Sequence, residues 1–119
     1  SYAQELALCQ RYCHKWKASD GSGNYQNIGV GYGYNSTTIA ATINLPVRMR
    51  AAPSMSTSGN FRVVLAGTTK TFSALELQRS HPVTPYLRGT GGSSITAGQA
   101  GEFGANNDPS FQITFDAEL

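Results

Sequence analysis

The chain has 119 residues, nine Lys or Arg against seven Asp or Glu, and a net charge of +2. That length allows one domain of ordinary size with a modest core. So small a charge, with no basic stripe, excludes a nucleic-acid binder, and no apolar run reaches the roughly 18–20 residues of a membrane span. Gly, Ser and Thr are abundant and charged residues make up only 13%, yet aromatic and β-branched residues are plentiful. This is the composition of a turn-rich all-β domain, not of a disordered tail.

Tyr2 to Arg11 is the one good helix-forming stretch. Ser1 stands at the N-cap and Gln4 at the capping-box position three residues on. Leu6, Cys9 and Cys13 share a face if the helix runs on, with Tyr2 and Leu8 beside it. Two cysteines four apart on a helix have near-parallel Cα–Cβ vectors, a poor disulfide geometry. They read as buried free thiols, suited to a reducing compartment. Cys-x3-Cys with His14 but no second pair is a weak metal signal, so no metal or cofactor is expected.

Residues 12–17 alternate aromatic with polar and suggest a first strand; residues 18–24 are a loop. Tyr25 to Tyr34 alternates Ile28, Val30, Tyr32 and Tyr34 with Asn27, Gly29, Gly31 and Gly33. A glycine face requires either a close neighbour or a sharp bend. Neither a dinucleotide fingerprint nor a channel filter fits, because no helix follows and no apolar span exists. Thr38 to Arg50 forms the next run, with Ile39, Ala41, Ile43, Leu45, Val47 and Met49 on one face. Pro46 demands a bulge or an edge there, and Pro53 resets the chain. Asn60 to Ala66 is a strand with Phe61, Val63 and Leu65 inward, 67–70 is a turn, and 72–79 and 86–88 are further strands. Ser94 to Asn106 and Ser110 to Glu118 form the last pair, joined at Asn107-Asp108-Pro109, with Phe111, Ile113, Phe115 and Ala117 inward. Seven to nine short strands at this spacing predict an all-β, jelly-roll-like β-sandwich with a short N-terminal α-helix.

The seven acids are scattered and no nucleophile elbow is present, so no catalytic residue is assigned. Arg48 and Arg50 share a face opposite the core. Three readings are open for them: a solvated face, pairing with acids across a subunit interface, or contact with an anionic sugar or phosphate. Tyr12 and Tyr32 read as core. Trp16, Tyr25, Tyr34, Tyr86 and Arg88 are candidate ligand contacts, because tyrosine and tryptophan suit half-buried interfaces and sugar stacking.

The opening block Ser1-Tyr2-Ala3-Gln4-Glu5-Leu6-Ala7-Leu8-Cys9-Gln10-Arg11-Tyr12 resembles one that begins a C-terminal module of bacteriophage tail-fibre and virion structural proteins. Pro46-Val47-Arg48-Met49-Arg50-Ala51-Ala52-Pro53, Asn60-Phe61, Ala97-Gly98-Gln99-Ala100, Asn106-Asn107 and Ala117-Glu118-Leu119 continue the resemblance in order along the whole chain. Cys13 departs from it, since an aromatic residue is usual there. The resemblance implies a head domain (12–119) joined by its helix (1–11) to an upstream shaft. It further implies a homotrimer, among other tail proteins of a virion assembled in the host cytoplasm. The absence of an initial Met agrees with a piece of something longer.

On that reading Tyr2, Leu6, Leu8, Cys9, Arg48 and Arg50 are candidate subunit contacts. Loops 18–24, 67–70 and 89–93 are candidate contacts to a host surface glycan or protein. Two alternatives stand beside it: a purely structural trimerisation cap or virion decoration domain, and an accessory domain of a polysaccharide depolymerase in which Glu76 or Glu102 acts.

Overall fold

The computed structural model describes residues 1–18 and 24–117. Helix α1 (Tyr2–Gln10) is followed by strands β1 (Cys13–Lys17), β2 (Asn27–Gly33), β3 (Ile39–Thr42), β4 (Ser54–Ser58) and β5 (Phe61–Leu65). Strands β6 (Thr68–Lys70), β7 (Ala74–Arg79), β8 (Tyr86–Thr90), β9 (Ala100–Ala105) and β10 (Gln112–Asp116) complete the fold. Two antiparallel sheets face each other, one of three strands in the order β1-β10-β4 and one of seven in the order β6-β5-β9-β2-β3-β8-β7. The chain crosses between the sheets from β1 to β2, β3 to β4, β4 to β5 and β9 to β10, which closes it into the sandwich that its composition predicts.

The helix is built as the sequence requires. The Gln4 N–H donates to Ser1 Oγ at 3.3 Å, and the Ser1 amino group donates to Gln4 Oε1 at 3.2 Å. Arg11 closes the helix in a right-handed conformation. Cys13 begins β1 instead of prolonging α1, so the two thiols do not share a helical face. Neither is in a disulfide; Cys9 is exposed and Cys13 half-buried, so the expected burial of both is corrected. No helical residue is buried.

Between the sheets lie Ile39, Ala41, Ile43, Leu45, Met49, Val63, Leu65, Leu87, Phe103, Phe111, Ile113 and Phe115, all nearly or fully buried. The inward alternation of residues 61–65 and 111–117 is as expected. The glycine face of β2 turns inward and something does lie close over it. A Cβ on Gly31 would sit 3.0 Å from Val63 Cγ2, and one on Gly33 would run into the Thr96 carbonyl. Glycine is required where backbone and neighbour approach so closely.

Several expectations are corrected. The run from Thr38 to Arg50 is a strand only from Ile39 to Thr42; the Ile43 and Leu45 N–H groups still donate to the Pro85 and Val83 carbonyls, and Arg48 and Arg50 sit in the loop that follows. Ser54 to Ser58 is a strand, β4, although its Ser-Met-Ser-Thr-Ser sequence has little apolar signal. Residues 67–70 are not a free loop. Ala66 (φ 51°) and Gly67 (φ 79°) make a tight turn, and β6 then pairs with β5. Positive φ at both central residues matches the right-handed twist of a hairpin. Gly89 and Thr90 lie within β8, which leaves only 91–93 of the proposed 89–93 loop. β9 and β10 are not a hairpin, because each belongs to a different sheet. The loop 18–24 and the terminal Glu118-Leu119 lie mostly outside the described residues.

The β9–β10 crossover is held by Asp108. Its Oδ1 accepts from the Ser110 N–H (2.9 Å) and hydroxyl (2.6 Å), and its Oδ2 accepts from the Asn60 N–H (2.9 Å). These bonds, those from Ser110 first, hold the carboxyl below the usual carboxylate range.

Three outcomes follow for stability. Gly33→Ala loses about 1–3 kcal/mol in chemical denaturation through overpacking. Gly67→Asn stays within about 1 kcal/mol, because nothing lies within 4 Å and Asn tolerates the left-handed region. A depressed carboxyl contributes stability above its unfolded pKa and loses it as pH falls through the folded value. Asp108→Asn therefore lowers the melting temperature at neutral pH, and its gap from wild type narrows as pH falls from the ordinary aspartate range through the depressed folded value.

A tyrosine and arginine face on the seven-stranded sheet

Because Gly31 and Gly33 occupy the inner side of β2, the large side chains beside them point outward, whereas Ile28, at the irregularity between Asn27 and Gly29, packs against the core. Val30 is 63% exposed, Tyr32 38% and Tyr34 48%. Tyr32 is thus a surface residue and not the core residue expected; Tyr12, at 46%, is corrected likewise. The register carries the row outward from Tyr32 on β2 to Ala40 on β3, Arg88 on β8 and Glu76 on β7. The adjacent row runs from Val30 through Thr42 and Tyr86 to Arg79.

Ala40 shows how tightly this face is closed. It points away from the core cluster, yet it is fully buried. Side chains from β2 and β8 meet above it, with the Tyr32 and Tyr86 hydroxyls 3.3 Å apart. The Arg88 guanidinium carbon lies 4.3 Å from the Tyr34 ring centroid and 5.7 Å from that of Tyr86. The Arg79 guanidinium carbon lies 5.6 Å from the Tyr86 ring centroid as well. Such cation–π contacts add about 0.5–1 kcal/mol each at exposed sites.

The hydrogen-bonded phenols are unequal. Tyr86 is held below the ordinary phenol value, first by its bond to Tyr32 and then by Arg88. Tyr32 is pushed above it, chiefly by the same bond to Tyr86. Either hydroxyl can donate in this bond, and Arg88 beside Tyr86 favours the phenolate on that side.

Further along the same sheet, Tyr25 is 52% exposed with the Arg62 guanidinium 4.6 Å from its ring centroid. Arg62 also pairs with Glu102 at 3.4 Å. Of the candidate ligand contacts, Tyr34, Tyr86 and Arg88 are therefore brought together. Tyr25 stands apart with Arg62 on this sheet. Trp16 does not join them: it is half-buried on the three-stranded sheet, edge-on to Phe115 at 5.9 Å and to His14 at 4.2 Å. Burial lowers the pKa of His14 and leaves its Nε2 without a partner among the described residues.

The candidate subunit contacts divide similarly. Tyr2, Leu6 and Leu8 are exposed at 78%, 43% and 56%, and Cys9 is exposed beside them. Arg50 is engaged within the chain, its N–H donating to the Arg11 carbonyl (2.9 Å) and its guanidinium lying 5.7 Å from the Tyr12 ring centroid. Arg48 is exposed.

Glu76 and Glu102 project from strands four places apart, a separation of about 19 Å at the usual inter-strand spacing. That exceeds the span of the carboxylate pairs that cleave glycosidic bonds. Among the described residues no three His, Cys, Asp or Glu gather as metal ligands. Comparison with protein-family models, curated proteins and solved structures finds no match to this chain.

Replacing Tyr32 by Phe removes the bond that lowers Tyr86. The Tyr86 phenol then titrates higher, back toward about pH 10, in a phenolate absorbance titration. An unmoved Tyr86 titration would show that the two hydroxyls do not interact.

Proposed function

We propose that this chain is a non-catalytic head module of a phage tail fibre or related virion appendage, one that attaches to a host cell-surface glycan through the outer face of its seven-stranded sheet. The observation that carries the reading is the gathering of Tyr32, Tyr34, Tyr86 and Arg88 on one exposed face. Tyrosine offers a broad apolar ring and a polar tip with few rotatable bonds, so a sugar ring stacks on it at small entropic cost. Rigid strands hold the rings in place before the ligand arrives. The motifs from Ser1 to Leu119 that resemble such modules support the same reading. In a homotrimer, three copies of the face would multiply a weak single-site affinity.

A second reading has its own observation. The apolar Tyr2, Leu6 and Leu8 of α1 are exposed, as suits a trimerisation cap or decoration domain whose helix meets its symmetry mates.

Light scattering and cell binding separate the two. Under both, the chain has three times its 12.7 kDa mass in solution, and Leu8→Asp dissociates it. Under the adhesion reading alone, Tyr34→Ala weakens binding of labelled protein to host cells about tenfold or more, without changing the mass. Unchanged cell binding by Tyr34→Ala, with the trimer intact, would leave only the structural role.

A further inference from the structure

The tyrosine face holds more positive charge than it neutralises. Arg62 has its partner in Glu102, whereas Arg88 and Arg79 form no ion pair among the described residues. The acid in register with Arg88 is Glu76, which is exposed on β7 and does not pair with it. Arg88 is instead seated against aromatic rings, Tyr34 on one contact and Tyr86 on another. Its Nε is closed off from solvent without a hydrogen-bond partner among the described residues. The neighbouring Tyr86 hydroxyl raises its pKa further, so the group is always charged.

A guanidinium laid against rings uses its flat faces for that contact. Its N–H groups lie in its plane, and they match the geometry of a carboxylate in a two-point fork. The rings also fix the long arginine side chain, which otherwise loses rotamer freedom on binding. Beside it, Tyr34 and Tyr32 keep 48% and 38% of their surface exposed, and the ring area that Arg88 does not cover is what a sugar would meet. A polyphosphate or nucleic acid calls for a track of several cations. A single fork flanked by aromatic rings suits one planar, singly charged group.

We propose that Arg88, seated against Tyr34 and Tyr86, is a carboxylate fork, and that the ligand of this face is an acidic saccharide carrying a uronic or nonulosonic acid. Its ring lies on the tyrosines and its carboxylate meets Arg88, with Arg79 adding attraction at longer range. The inference rests on the adhesion reading above and names the chemistry of its ligand.

The test is calorimetric titration of the whole chain with uronate and sialate oligosaccharides, each beside its carboxyl-reduced counterpart, and with poly(glycerol phosphate). The wild type binds at least one acidic oligosaccharide about tenfold or more tighter than its reduced form, and added salt weakens that binding. Arg88→Gln loses about 10–100-fold toward the acidic ligand and no longer distinguishes the pair. Arg88→Lys, which keeps the charge without the fork, falls between. The comparison of paired ligands needs no variant, so it decides the matter even if Arg88→Gln unfolds.

Equal affinity for an acidic ligand and its reduced form would overturn the inference. Loss of both on Tyr34→Ala would then leave the glycan reading standing. Tighter binding of poly(glycerol phosphate) than of any carboxylate would overturn it in favour of a phosphate ligand. Binding to none of these also overturns it, and the cell-binding assay then decides the adhesion reading separately.

Discussion

The close approach of β2 to the core governs much of what this molecule presents to solvent. Sandwich strands ordinarily turn their bulk inward and their small or polar residues outward. In β2 the space beneath the strand is already filled, by Val63 and Phe103 under Gly31 and by Ile95 and Thr96 under Gly33. At Gly33 only hydrogen fits, and at Gly31 a methyl would press on the Val63 side chain. Since side chains alternate strictly along a strand, the inward glycines oblige Val30, Tyr32 and Tyr34 to face out. The aromatic surface is the reverse side of a packing requirement, and a larger residue at Gly31 or Gly33 would disturb both faces of the sheet.

The same economy of volume acts on the next strand. β2 and β8 are separated by β3, so their backbones lie about 9.6 Å apart at the usual spacing. Tyr32 and Tyr86 nonetheless touch across that gap because Ala40, between Tyr32 and Arg88 in the register, is too small to hold them apart. The phenol bond and the arginine contacts tie three strands together at the surface, in a place where solvent would otherwise leave long side chains mobile. A face so tied loses little further freedom when something binds it, which is the physical meaning of a pre-formed site. The uneven proton affinities of the two phenols express the same closeness, since each hydroxyl feels the other and Tyr86 feels Arg88 as well.

Much of this was legible where chemistry is local. The capping box at Ser1 and Gln4, the inward alternation of Phe61 to Leu65 and of Phe111 to Ala117, and the need for a close neighbour or a sharp bend at the β2 glycines all follow from residue spacing. β4 escaped because Ser54, Ser56 and Ser58 carry no apolar signal; it is a strand through its pairing with β10, which lies far along the chain. β6 escaped because its turn uses Ala66 at positive φ, where Gly, Asn or Asp is usual. The apparent hairpin of β9 and β10 failed for a related reason, since the Asp108 bonds redirect the chain to the other sheet. Tyr34, Tyr86 and Arg88 could be picked out by residue type, but not their assembly, which depends on Ala40 and on the order β2-β3-β8. Tyr32 and Trp16 exchanged their expected places because burial was decided by neighbours remote in sequence: Gly31 against Val63 and Phe103, and Trp16 against Phe115.

The arrangement also separates two surfaces by layer. α1 contacts β1, an edge strand of the three-stranded sheet, and its junction is fastened by hydrogen bonds from Arg50 to Arg11 and from Ala117 to Tyr12. The tyrosine face is the outer side of the opposite sheet. In a sandwich those two surfaces point in different directions, with the buried phenylalanines between them. Leu6 and Leu8 on the helix thus belong to a different surface from Tyr34, Tyr86 and Arg88. Because the two surfaces share no side chain, changes at one should leave the other unaltered, as distant and independent sites do.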